Sequence, residues 1–162
     1  MFRRLRETGP GLLVPLAWTV VAGAHLGAVS THALFVAHVV MCVLLAVFAV
    51  TGWVEMAEGV LRTWRSVVAV GFVATALGVA GFLIDADPLL AVALYVWMAM
   101  PAGGLLLTGR DVDGPALPYL GGGAVCALGV AIYAAAPGSS LLGLALVGVG
   151  QTAGILDAVV RY

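Results

Sequence analysis

Long apolar runs, almost free of charge, constrain this chain more than any other feature of its sequence. They cover residues 10–27, 32–53, 67–84, 88–107, 117–136 and 141–160. A helix crosses about 30 Å of hydrocarbon in roughly 20 residues, and each run is close to that length. Backbone amides cannot go unpaired in lipid, so continuous runs of this kind form helices. A strand barrel would need alternating apolar and polar positions, and these runs do not alternate. The expected fold is an all-α integral membrane protein, a six-transmembrane-helix bundle forming one polytopic membrane domain over residues 1–162.

Composition agrees. The chain is 63 % hydrophobic and 9 % charged, with a mean hydropathy of +1.15, whereas soluble domains are about a quarter charged. Seven Arg stand against eight acids with no basic cluster, so nucleic acid is not an expected partner. Two cysteines are too few for a disulfide scaffold. The expected surroundings are the lipid bilayer and a homo-oligomer or larger membrane complex.

The positive-inside rule orients the spans. With six helices, one side of the membrane carries Arg3, Arg4, Arg6, Arg62, Arg65, Arg110 and Arg161, which is every basic residue. The opposite side carries Asp85 and Asp87. Both termini are therefore expected to be cytoplasmic, in a multi-pass protein of the cell membrane. The N-terminal Arg residues, the first apolar run and Ala22-Gly23-Ala24 also fit a signal peptide. Cleavage would leave the second span in the wrong orientation, so the first helix is expected to be retained. Lys and Asn are absent and Ile is scarce; their codons are A/T-rich, which points to a GC-rich prokaryote.

A repeat of 51 residues relates Leu26-Gly27-Ala28-Val29, Leu77-Gly78-Val79-Ala80 and Leu128-Gly129-Val130-Ala131. It would divide the bundle into three tandem parallel hairpins. Ala, Val, Leu and Gly fill 101 of the 162 positions, so coincidence is the competing explanation. On this register no later hairpin has a histidine where the first has His25, His32 and His38. Two small-x-x-x-small pairs, Gly23 with Gly27 and Gly150 with Gly154, are candidate sites of close helix packing.

Ionisable groups inside spans are costly and tend to face the protein interior. His25, His32 and His38 are therefore the candidate cofactor-binding residues, able to ligate haem b or a metal through neutral imidazole. His38 and Cys42, four apart on one helical face, are a candidate soft-metal pair. The segment from Thr31 to His38 resembles the histidine-bearing helices of haem-copper oxidase-like membrane proteins. It lacks the closely spaced His-x-His pairs of their small relatives, so the resemblance carries no residue role or activity across.

Glu55, Glu58, Arg62 and Arg65 form a cytoplasmic charged elbow, with Glu58 and Arg62 spaced as a helical i,i+4 pair. Trp53 and Trp64 flank it as interfacial anchors. Asp157 and Arg161 have the same spacing in the sixth run. Gln151 is the deepest polar residue of that run and is expected to bond a facing helix. Pro101 should kink or unwind the fourth helix. Cys126, Trp18, Trp97 and Met98 read as packing residues.

No nucleophile motif, phosphate-binding loop or carboxylate pair is present. The sequence thus favours a non-catalytic accessory or oligomeric membrane component. Two other readings stay open: a haem- or metal-binding redox component using the first-hairpin histidines, and a transporter or channel for a small uncharged solute.

Overall fold

The computed structural model of the protein describes the backbone of residues 2–161 and the side chains of residues 9 and 11–160. The side chains of Arg3, Arg4, Arg6 and Arg161, and all of Tyr162, lie outside the described residues. Six α-helices follow one another: α1 (Phe2–His25), α2 (Thr31–Gly52), α3 (Gly59–Leu83), α4 (Asp87–Asp111), α5 (Leu117–Ala135) and α6 (Ser140–Arg161). A short 3-10 turn, Pro137–Ser139, leads into α6. No strand occurs among the described residues.

Five helices, α2 to α6, are long and apolar enough to cross a membrane. The apolar part of α1, Gly11–His25, is shorter. Helices α1, α3 and α4 extend beyond their apolar runs, because charged residues at one end of each do not stop a helix.

The turns between helices follow from local chemistry. Gly27, at φ 71°, closes α1, and the Ala28 N–H donates back to the Gly23 carbonyl at 2.8 Å. The turn after α3 repeats this geometry with Asp85 at φ 51° and the Ala86 N–H on the Gly81 carbonyl at 2.9 Å. This is the Schellman arrangement, in which one left-handed residue lets the chain reverse while orphan carbonyls stay bonded. Ser30 caps α2 by accepting from the Ala33 N–H at 3.2 Å.

Packing does not follow the three expected hairpins. Helix α3 packs on α4 and α5 on α6, but α1 packs on α6 while α2 packs on α3. Helices α1 and α2 touch each other far less than either touches its main neighbour. The centre is a triangle of α4, α5 and α6, with α2 outermost on the α3 side. The 51-residue register is also not structural. Gly27 sits in a turn, whereas Gly78 and Gly129 lie inside α3 and α5. In a chain built largely from four residue types, short matches recur without structural equivalence.

The tightest helix contact joins α5 to α6. A Cβ on Gly129 would stand 2.6 Å from the Gly143 carbonyl oxygen, and one on Gly122 would stand 2.5 Å from that of Gly150. Backbones this close can gain dispersion energy only where side chains are missing. Gly154 instead admits the Leu105 side chain of α4. Gly23 meets only Val29 of the following turn, and Gly27 meets nothing; that pair therefore joins no two helices. Around this contact, Trp18, Met98, Leu144 and Val147 form one buried cluster, and Ala102, Leu105, Tyr119 and Cys126 a second.

Along the apolar spans the outer faces carry many exposed large hydrophobic side chains. Val36, Val40, Val43, Val47 and Val50 of α2 and Val149 and Leu156 of α6 are all exposed. In water such a surface would drive aggregation; in a bilayer it is solvated by acyl chains.

Two substitutions test the α5–α6 contact. Gly150→Ala should lower thermal stability in detergent by about 1–3 kcal/mol, because its methyl meets backbone that cannot yield. Gly103→Ala, where nothing lies within 4 Å, should be neutral or stabilising by up to about 1 kcal/mol. Equal melting temperatures for both variants would contradict the close approach.

Candidate functional site

The most connected polar site lies in the middle of the bundle and starts from Pro101. Proline has no N–H, so in a helix it leaves the carbonyl four residues earlier without its bond. Here that carbonyl belongs to Trp97. Helix α4 nevertheless runs unbroken through Pro101. The Gln151 amide, from α6, donates to the Trp97 carbonyl at 3.0 Å. The Gln151 side-chain oxygen in turn accepts from the Trp18 indole N–H of α1 at 3.0 Å. The Trp97 indole donates to the Thr75 hydroxyl of α3 at 2.9 Å, and that hydroxyl donates to the Gly71 carbonyl of its own helix at 2.8 Å. One connected chain of bonds therefore ties α1, α6, α4 and α3 together at mid-membrane depth. Thr75 and Gln151 are buried, at 2 % and 3 % exposure.

Nearer the Arg-bearing ends of α3 and α4, the Trp64 indole donates to the buried Thr108 hydroxyl at 3.0 Å. The Cys126 thiol reaches the Val147 carbonyl at 3.4 Å. Hydrogen bonds of this kind are held by the low dielectric of the interior, where an unpaired group is expensive. What the arrangement does chemically is position and lock helices.

Sequence reasoning placed Gln151 against a facing helix, and there it lies. It read Trp18 and Trp97 as packing residues and missed their hydrogen bonds, along with the roles of Thr75 and Thr108. The available signal was Pro101 itself: counting back four residues identifies the carbonyl that needs an outside donor.

The three histidines separate. The His25 Nδ1–H donates to the Val21 carbonyl at 2.9 Å, which leaves Nε2 to accept from the Tyr133 hydroxyl of α5 at 2.9 Å. The Tyr133 ring also stands edge-on to Tyr95 of α4, centroids 5.6 Å apart. His38 lies on the opposite flank. Its Nδ1–H donates to the Leu34 carbonyl at 2.9 Å, and its ring packs edge-on to Phe82 of α3 at 5.1 Å. Gly78 leaves room for this ring, since a Cβ there would stand 2.7 Å from His38 Cδ2. His32 is exposed and lines a shallow outer depression of about 200 Å³ with Thr31, Phe35, Phe82 and Leu83. The divergence follows from α1 and α2 packing on different neighbours.

Cys42 stands one turn from His38 on α2, half-buried. Among the described residues no group of three or more His, Cys, Asp or Glu side chains gathers to hold a metal ion.

Between α2 and α3 the Arg65 guanidinium stacks 4.7 Å from the Trp53 ring centroid and donates to the Trp53 carbonyl at 3.4 Å. This fixes the elbow between α2 and α3 by a cation–π contact. Glu58 precedes the first turn of α3 with an extended backbone, φ −130° and ψ 163°. It is thus not one helical turn from Arg62, and the two form no ion pair. Glu55 lies exposed in the turn, and Asp157 is half-buried on α6.

The chain matches no protein-family model, no curated protein and no solved structure.

The proline–glutamine complement makes a compensation test. Gln151→Leu should destabilise the protein by about 1–2 kcal/mol in detergent. In a Pro101→Ala background, where a restored N–H serves the Trp97 carbonyl, the same change should cost about half as much or less. Strict additivity of the two substitutions would show that Gln151 does not act through that carbonyl.

Proposed function

We propose that the chain is a non-catalytic component of the cell membrane, spanning it six times with both termini cytoplasmic and acting as an accessory or oligomeric subunit. The observation that carries this reading is the use of its intramembrane polar groups. Gln151, Thr75, Thr108, Trp18, Trp64 and Trp97 bond one another or the backbone across helices, leaving none of the six aimed into a binding cavity. Transporters and redox carriers need the opposite, polar groups turned toward a solute or cofactor.

Counting α1 as the sixth span rests on its packing. Trp18 is inserted among Met98, Leu144 and Val147 and bonded to Gln151; a segment removed by a peptidase would take part of the core with it. Orientation rests on charge, with Asp85 and Asp87 at the outer turn and the Arg residues at the other ends of the helices.

Two measurements test the reading. The full chain, purified from its native membrane, should migrate as an oligomer or with partner subunits, without a Soret band or stoichiometric metal. A monomer carrying a chromophore would overturn it. For orientation, a thiol placed at Asp85 should react with an impermeant maleimide from outside intact cells, and one at Asp113 only after permeabilisation. The reverse pattern would invert the topology.

A further inference from the structure

At the charged end of α3 and α4 lies an open cavity of about 510 Å³, lined by Gly59, Val60, Arg62, Thr63, Ser66 and Asp111. It differs from the apolar outer faces of the helices in being lined by both signs of charge. One wall, from α3, carries a guanidinium and two hydroxyls. The other, from the last residue of α4, carries a carboxylate. Arg62 and Asp111 are both exposed and form no ion pair with each other across the space.

Asp111 occupies a poor electrostatic position. It ends a 25-residue helix, where unpaired carbonyls already concentrate negative potential. A cation beside it would relieve that repulsion. Arg62 favours the converse partner, since guanidinium forks match phosphate oxygens well, and the Thr63 and Ser66 hydroxyls lie along the same wall. The cavity therefore presents a positive and a negative wall to one occupant.

Its level in the bilayer narrows that occupant. The cavity lies where α3 and α4 pass out of their apolar segments. Whichever leaflet this is, the layer at that depth consists of lipid headgroups. We infer that the cavity binds the headgroup of a zwitterionic phospholipid bearing a primary ammonium. The phosphodiester is held by Arg62 with the Thr63 hydroxyl, since the Ser66 hydroxyl donates to the Arg62 carbonyl at 3.2 Å, and the ammonium is held by Asp111. A primary ammonium offers N–H donors to the carboxylate, which a quaternary one lacks. An anionic lipid would satisfy Arg62 but face Asp111 unfavourably.

The full chain in detergent, mixed with defined lipids and examined by native mass spectrometry, tests this. Phosphatidylethanolamine adducts should exceed phosphatidylglycerol and phosphatidylcholine adducts by about three- to fivefold. Arg62→Gln and Asp111→Asn should each reduce the phosphatidylethanolamine adducts by a similar factor, while leaving the melting temperature unchanged because both residues are exposed. Arg110→Gln, which alters charge one residue away but not in the cavity lining, should keep them.

Equal binding of the three lipids would overturn the inference. So would full binding by the Arg62 and Asp111 variants, or an equal loss in Arg110→Gln. Competition by soluble glycerophosphoethanolamine at concentrations comparable to the lipid would assign the site to a free phosphodiester and overturn the lipid reading. Failure here leaves the proposed subunit role untouched, because that role rests on the mid-membrane bonds.

Discussion

A carbonyl that a proline has left without a donor cannot be repaired by water in the middle of a bilayer, and the helix arrangement of this protein is organised around that fact. Pro101 frees the Trp97 carbonyl, and Gln151 supplies the missing N–H from another helix. The same amide group then accepts from Trp18, so a single side chain fixes the distance and rotation of three helices at once. In hydrocarbon the alternatives are all poorer, because lipid offers neither donor nor acceptor. Helix α4 can thus keep its proline and remain continuous, and α1 and α6 are held against it by the repair.

Shape complementarity does the remaining work. Between α5 and α6 the backbones approach at facing glycines, which places the two helices closer than any side-chain interface would allow. Helix α4 closes the triangle by sending Leu105 into the notch at Gly154. Helices α1 and α3 join through indole bonds, and α2 joins chiefly through α3. The bundle therefore grades from a densely bonded centre to a single lipid-bathed helix at its edge.

Much of this was legible in the sequence and some was not, for definable reasons. The helices lie where the apolar runs lie, since hydrocarbon thickness and backbone satisfaction leave little choice. The charged ends of α3 and α4 extend further because charged residues do not stop a helix, they only end its apolar run. Gln151 was visible as a misfit in an apolar run, and its general partner could be foreseen. That Trp18 would be the second partner could not, because nothing local announces that α1 lies against α6. The same missing information misled the reading of the histidines: chain neighbours were taken as spatial neighbours, and His25 and His38 turned to different flanks. The apparent repeat failed for a compositional reason, as Gly27 and Gly78 share a local sequence but occupy a turn and a helix interior.

The separation of α1 from α2 has a consequence for how the protein is made. Trp18 and Gln151 are 133 residues apart in the chain, and α1 finds its packing surface only when α6 exists. At about 5–20 residues per second of synthesis, α1 waits roughly 7–27 s before its partner on α6 is made. During that interval its indole N–H has no Gln151 to meet. Helix α1, made before the other five, is thus among the last to find its packing surface, and its docking closes the bundle from the α6 side.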